Sequence, residues 1–290
     1  MKKQYTLAFI TIFFWSTIAT VSKLMLSEIN NIQLLWASSF FAGIFLLGVN
    51  VFSGKIKIIK SYTLKDWITL VLIGLPGTFF YYVFYYGGAE ILPASQAFII
   101  NYLWPIMSVV FACILLKEKI TVKKCIAFAM SFIGVCIVTG GGLLHFNKDT
   151  LTGAVFCILG AVSYGLFTAL NQKFSYEKSV AMMVSFFSSF ILTTIINWSK
   201  GNLFIPHGFQ FIGFAWNGMF TMALGSTLWA LALESKNTAK ISNLAYITPF
   251  LSLVWISLIL KEQISIYAIL GLIVIVLGIF VQLSKDGVKK

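Results

Sequence analysis

The sequence predicts an all-α membrane protein of ten transmembrane helices, arranged as two inverted five-helix repeats. Three observations predict it. Hydrophobic residues make up 59% of the 290-residue chain and charged residues only 10%, with a mean hydropathy of +0.92, whereas a soluble domain carries about a quarter charged residues. The chain also divides into long apolar runs, each close to the roughly 20 residues that cross a bilayer core. Finally, a shift of 144 residues lays one half on the other: Glu90 on Glu234, Tyr102 on Tyr246, Pro105 on Pro249, Ser108 on Ser252, Leu116-Lys117-Glu118 on Leu260-Lys261-Glu262, and Gly134 on Gly278.

The ten spans are expected near 5–23, 32–52, 66–88, 93–116, 123–141, 151–172, 180–198, 211–233, 239–260 and 265–283. Alternating strands of barrel type are absent, so helices must satisfy the backbone in the hydrocarbon. Two domains follow, residues 1–142 and 150–290, with the boundary near Gly140-Gly141-Gly142. The start, Met1-Lys2-Lys3 followed by an apolar run, imitates a signal peptide but lacks a convincing small-x-small cleavage site. It reads as the first span.

The net charge of +12 comes from 21 lysines, no arginine and nine acids. These lysines sit in short gaps between apolar runs, which argues against a nucleic-acid surface and for a topology signal. With a cytoplasmic N-terminus, 17 lysines fall inside and four (Lys23, Lys148, Lys200 and Lys261) outside. The positive-inside rule then places both termini in the cytoplasm of a multi-pass cell-membrane protein. Five spans per repeat is odd, so the second copy enters the membrane inverted. Consistently, Lys119, Lys123 and Lys124 of the first copy become Gln263, Tyr267 and Ala268 in the second.

Inverted repeats are the architecture of alternating-access transporters, whose substrate site lies at the repeat interface near the midplane. Candidate site residues follow from helical spacing. Ala97, Asn101, Trp104 and Ser108 form one stripe of the fourth span. A second stripe, Gly74, Gly77, Tyr81, Tyr85 and Gly88, matches Gly218, Thr221, Gly225, Trp229 and Ala232 at the same shift. Tyr82 lies next to that face. Each aromatic can equally be plain packing or part of an interfacial belt, which is the reading for Trp67 and Trp198 at span ends. Pro105 and Pro249 remove a backbone donor in mid-helix and are expected to kink their helices as hinges. Lys23, at the outer end of the first span, is a candidate gate, although a lysine there can simply snorkel. Glu90 and Glu234 read as loop or cap residues, and Gly134 and Gly278 as helix-packing sites.

The Trp15-x7-Lys23 pattern, the prolines of spans four and nine followed by Leu-Lys-Glu, and Gly134 and Gly278 resemble the drug/metabolite transporter superfamily, EamA type, over essentially the whole chain. Asn101-Tyr102-Leu103-Trp104-Pro105 is most similar to its aromatic amino-acid exporter branch. The resemblance implies a ten-helix basket around a central cavity lined by helices 1, 3, 4, 6, 8 and 9, bringing Trp15 and Tyr164 into the candidate set. It also implies peripheral helices 5 and 10 that support homodimers. The sequence departs from the family with Tyr164 where many members have tryptophan, and with its tyrosine cluster in helix 3.

The expected function is export of small metabolites, aromatic or other neutral amino acids, by alternating access. Metabolite uptake and planar-drug efflux are the transport alternatives, and a non-transporting scaffold or sensor subunit is the alternative of another class. No catalytic constellation, cofactor motif or metal-ligand cluster is expected: H-E-x-x-H, G-x-S-x-G and G-x-x-x-x-G-K-[ST] are absent, and Cys113, Cys125, Cys136 and Cys157 lack metal spacing. No acid occupies the middle of a span, so the usual carboxylate relay for proton coupling is missing.

Overall fold

The computed structural model describes residues 2–139, 148–233 and 244–283. The glycine run expected at the domain boundary, His145, Glu234, Lys236, Lys240 and the C-terminal lysines lie outside the described residues. Among those described there is no strand. The helices are α1 (Lys2–Leu26), α2 (Asn31–Phe52), α3 (Leu64–Ile91), α4 (Ala94–Leu115), α5 (Val122–Thr139), α6 (Lys148–Lys173), α7 (Lys178–Ser199), α8 (Gly208–Ala215 continued by Trp216–Leu224 and Gly225–Leu233), α9 (Ala245–Ile259) and α10 (Ile266–Leu283). The seven from α1 to α7 are long and apolar enough to cross a membrane, and α9 and α10 are shorter apolar helices.

Outward faces carry large apolar side chains such as Phe52, Leu72, Phe132, Ile191 and Leu277, while serines, threonines and asparagines point inward. This inverts the soluble pattern, as lipid solvation requires. The buried hydroxyls mostly return to their own helix: Ser22 donates to the Ile18 carbonyl at 2.6 Å and Thr193 to the Ser189 carbonyl at 2.7 Å. Those that do so need no water, whereas Thr20, Ser39, Ser131 and Ser252 are buried with no hydrogen-bond partner among the described residues.

Packing is paired throughout. The most extensive contacts join α5 to α10 and α2 to α7; α3 packs on α6 as α8 packs on α1, α4 on α6 as α9 on α1, and α2 on α8 as α7 on α3. Advancing each helix by five positions turns every one of these contacts into another of the set.

Local irregularities are paired as well. α3 widens to a π-helix at Pro76–Phe80 and α8 at Trp216–Leu224, which contains the positions 144 residues on. Lys117 and Lys261 are the described non-glycine residues with positive φ, at 57° and 56°. Pro105 and Pro249 do more than the kink expected of them. α4 is interrupted by a turn at Tyr102–Leu103, and α9 begins with the 3-10 turn Ala245–Ile247, each proline standing at the start of the regular helix that follows. The missing N–H explains the break: the i→i−4 ladder cannot run through either residue.

Small residues set the approach distances. A Cβ on Gly74 would lie 1.9 Å from the Ser185 hydroxyl, and one on Gly218, its counterpart, 2.2 Å from the Ser38 carbonyl. Gly77 faces Phe167 and Gly88 faces Cys157 just as closely. These glycines serve close helix contact, as small residues do between membrane helices.

Candidate functional site

Where the broken helices α4 and α9 meet, a cavity of about 720 Å³, counting its open mouth, lies half-way along the surrounding helices. α1 contributes Trp15, α3 contributes Tyr81 and Tyr82, and α4 contributes Asn101 and Trp104, with Tyr164 from α6. These six sequence candidates are brought together on one wall. Tyr81 packs on Tyr164 with ring centroids 4.8 Å apart, and Trp104 meets Tyr164 edge-on at 5.1 Å. The Asn101 amide donates to the Tyr81 hydroxyl at 3.0 Å, which holds the phenol at the cavity edge.

Two candidates lie behind the wall. Tyr85 is fully buried and parallel to Tyr81, with 5.9 Å between centroids. Both tyrosines lie beyond the π-turn in the regular helix Tyr81–Ile91, one turn apart, and position 85 falls past the end of the cavity. Trp229 packs on Trp15 at 5.3 Å and on the small residues Ala8 and Ala232, without lining the cavity.

Residues that the sequence reading did not single out complete the lining: Phe98, Tyr102, Met182, Phe186, Ser226 and Ala245 among them. Thr248 and Thr221 line it too, so the positions equivalent to Trp104 and Gly77 are present from the second half. The 144-residue shift points to both, and Thr221 already stands in the repeated stripe. Among the described residues no charged side chain lines it. Eight of the lining side chains are aromatic, and the polar groups are amide and hydroxyl. Such a surface suits a planar or apolar body with a few hydrogen-bonding groups.

The helix breaks leave two carbonyls without their ladder donor, a deficit of several kcal/mol at this depth if unmet. At Ala245 the carbonyl accepts instead from the Thr248 N–H, closing the 3-10 turn, and also from the Tyr102 hydroxyl at 2.7 Å, which links α4 to α9 beside the cavity.

Beyond the cavity, one end of the bundle is tied by charged groups. Lys23 donates to the carbonyls of Ala89 at 2.5 Å and Leu92 at 2.7 Å, which end α3. Glu90 accepts from the Asn31 N–H at 2.6 Å, at the start of α2. Glu262, just past α9, accepts from the Ala94 and Ser95 N–H groups at 2.8 and 3.1 Å and from the Ser95 hydroxyl, capping α4. At the other end, Lys55 pairs with Glu177, and the Tyr176 hydroxyl donates to Asp66 at 3.0 Å.

The profile of the EamA-like transporter family matches residues 2–140 and again 151–284. The chain belongs to the EamA-like transporter family. It is therefore a multi-pass membrane transporter. An uncharacterized transporter of Archaeoglobus fulgidus is 22% identical to this EamA chain, covering 98% of it and all of the relative. One of Clostridium kluyveri is 26% identical over 99% of the chain and 94% of the relative. An S-adenosylmethionine uptake transporter of Rickettsia prowazekii is 24% identical over a shorter stretch, 61% of this chain and 56% of the relative. A solved crystal structure superposes with a TM-score of 0.71 over 97% of this EamA chain and 96% of its own, at 17% identity, a likeness of fold.

Proposed function

We propose that this EamA transporter carries a small organic solute across the cell membrane by alternating access between two inverted five-helix halves, residues 1–142 and 150–290, with both termini cytoplasmic. The paired packing and paired irregularities support the inverted repeat, since each half repeats the other's contacts with its helices advanced by five. The observation that carries the reading is the cavity itself. It is aromatic, without charged side chains among the described residues, and formed where the two proline-broken helices meet.

Export of aromatic or other neutral amino acids is the assignment taken first. An aromatic side chain can pack among Trp15, Tyr81, Trp104 and Tyr164, with Asn101 and Thr248 offering hydrogen bonds. A second reading, uptake of a sulfonium-bearing nucleoside, is favoured by the same rings, whose faces attract a cation and stack on a base. The rickettsial relatives named for S-adenosylmethionine uptake agree with it. The protein itself performs no chemistry on the solute. A second copy would sit against the lipid-facing sides of α5 and α10, where Phe132 and Leu277 are exposed.

Counterflow in proteoliposomes separates these readings. Tryptophan, phenylalanine, leucine and S-adenosylmethionine are each loaded inside and exchanged against labelled solute, with and without a pH gradient. Exchange of aromatic amino acids supports the first reading and exchange of S-adenosylmethionine alone the second. Exchange of none overturns both.

A further inference from the structure

The two broken helices are alike in sequence and unlike in hydrogen bonding. In an unbroken helix the carbonyl of residue i accepts from the N–H of residue i+4. Pro105 and Pro249 have no N–H, so the Asn101 carbonyl in α4 and the Ala245 carbonyl in α9 lose that partner. These two residues are equivalent under the 144-residue shift, as are Tyr102 and Tyr246. Yet only one cross-bond is made. Tyr102 reaches from the first half to the Ala245 carbonyl of the second, which otherwise holds only the 3-10 bond from the Thr248 N–H. Among the described residues no bond runs from Tyr246 to Asn101; the Tyr246 ring lies instead on Phe280 of α10, with centroids 5.4 Å apart.

A carrier of two equivalent halves inserted in opposite senses has a natural second state. If one half takes the other's conformation and the reverse, the cavity opens to the opposite side at similar free energy. Applied to the helix breaks, that exchange swaps the two tyrosines. We propose that Tyr102 and Tyr246 are positioning residues of the transport cycle, each bonding in turn the carbonyl at the other half's proline break. The present structure is the state in which Tyr102 holds Ala245. In the opposite-facing state Tyr246 leaves Phe280 and donates to the Asn101 carbonyl, while Tyr102 releases its own. The inference rests on the alternating-access reading above and adds the contact that marks each state.

The test labels Ser226→Cys, in the cavity wall, with a membrane-impermeant maleimide from each side of oriented vesicles. Modification at position 226 is read by mass spectrometry. Tyr102→Phe removes the bond of the present state, and labelling shifts toward the opposite face by about fivefold, the worth of one hydrogen bond in a population ratio. Tyr246→Phe shifts it the other way. If Tyr102→Phe fails to insert, Tyr246→Phe alone decides by the direction of its shift. Variants that leave labelling unchanged, or move it the same way, overturn the tyrosine exchange. Wild-type protein labelled from one face only, with every solute tried, overturns the alternating-access reading instead.

Discussion

Gly134 of α5 and Gly271 of α10 stand back to back. A Cβ on Gly134 would lie 2.8 Å from the Gly271 carbonyl oxygen, and one on Gly271 would lie 2.6 Å from the Gly134 carbonyl oxygen. The equivalent contact pairs Gly278 with Ala127, whose carbonyl a Cβ on Gly278 would meet at 3.1 Å. Together they draw α5 and α10 into the most extensive helix pair of the molecule.

Backbone cannot give way as a side-chain tip can, so Gly134→Val is expected to cost roughly 1–3 kcal/mol by overpacking. Thermal unfolding in detergent should show a lowered midpoint. Gly48→Ala is the control, since nothing stands within 4 Å of a Cβ there. Equal effects from the two would mean that the glycine contact is not what joins the helices.

Lys23 and Glu262 stabilise opposite helix ends at one face of the bundle. Lys23 supplies donors to the bare carbonyls ending α3, and Glu262 supplies acceptors to the bare N–H groups starting α4, each complementing the sign of the helix dipole. Glu262→Ala is expected to remove about 1 kcal/mol, the usual worth of an N-terminal cap, and Lys23→Met to destabilise the same end. Unfolding midpoints in both variants check this. Preserved midpoints with slowed counterflow would favour a gate over a cap.

Span positions were legible in the sequence because the apolar signal is long and its breaks are lysine-rich. The observed helices begin and end within a few residues of the expected spans, except where α9 adjoins undescribed residues. The proline breaks were half legible: Pro105 and Pro249 marked the place, but an interruption and a bend look alike in one dimension. The π-segments were not legible, because widening by one residue leaves apolar periodicity nearly unchanged. Tyr85 shares the face of Tyr81, as i and i+4 do in a regular helix, but lies one turn past the end of the cavity. Phe186, Ser226 and Met182 were missed because nothing local separates a cavity-facing residue from a packed one. Only the helix pairing does.

Glu177 at the start of α7 gives a pH-dependent contribution. Burial alone pushes its carboxyl up, but Lys55, the Val180 N–H and the Ser179 hydroxyl together hold it below its ordinary value. A depressed carboxyl adds stability above its unfolded pKa, and that stability is lost as pH falls through the folded pKa. Wild type should therefore be the more stable protein at pH 7, with its advantage over Glu177→Gln shrinking on acidification below about pH 4.5. The difference should also shrink in high salt, since the pair is partly exposed. Unfolding midpoints from pH 7 to pH 3 read it, and a gap that widens on acidification would contradict the assignment.

The cavity wall is asymmetric where the repeats are otherwise closest. Asn101 and Trp104 of α4 face Ala245 and Thr248, their equivalents in α9, across one space. A solute therefore meets an amide and an indole on one side, a methyl and a hydroxyl on the other. Selectivity should follow this difference. On the proposed reading Trp104→Ala removes a ring available for stacking on the solute, which is worth roughly 1–3 kcal/mol where stacking has been measured on bases, so counterflow affinity should fall at least several-fold. Asn101→Leu abolishes the hydrogen bond to Tyr81 and should lower transport while insertion is kept. Trp229→Ala, behind the wall against Trp15, should act more weakly than either. If Trp229→Ala were the most damaging of the three, the solute would lie deeper between α1 and α8 than the cavity indicates. Thr248→Val tests the second half alone: it keeps shape and removes the hydroxyl, so solutes with a hydrogen-bonding head group should lose affinity relative to apolar ones of the same ring size.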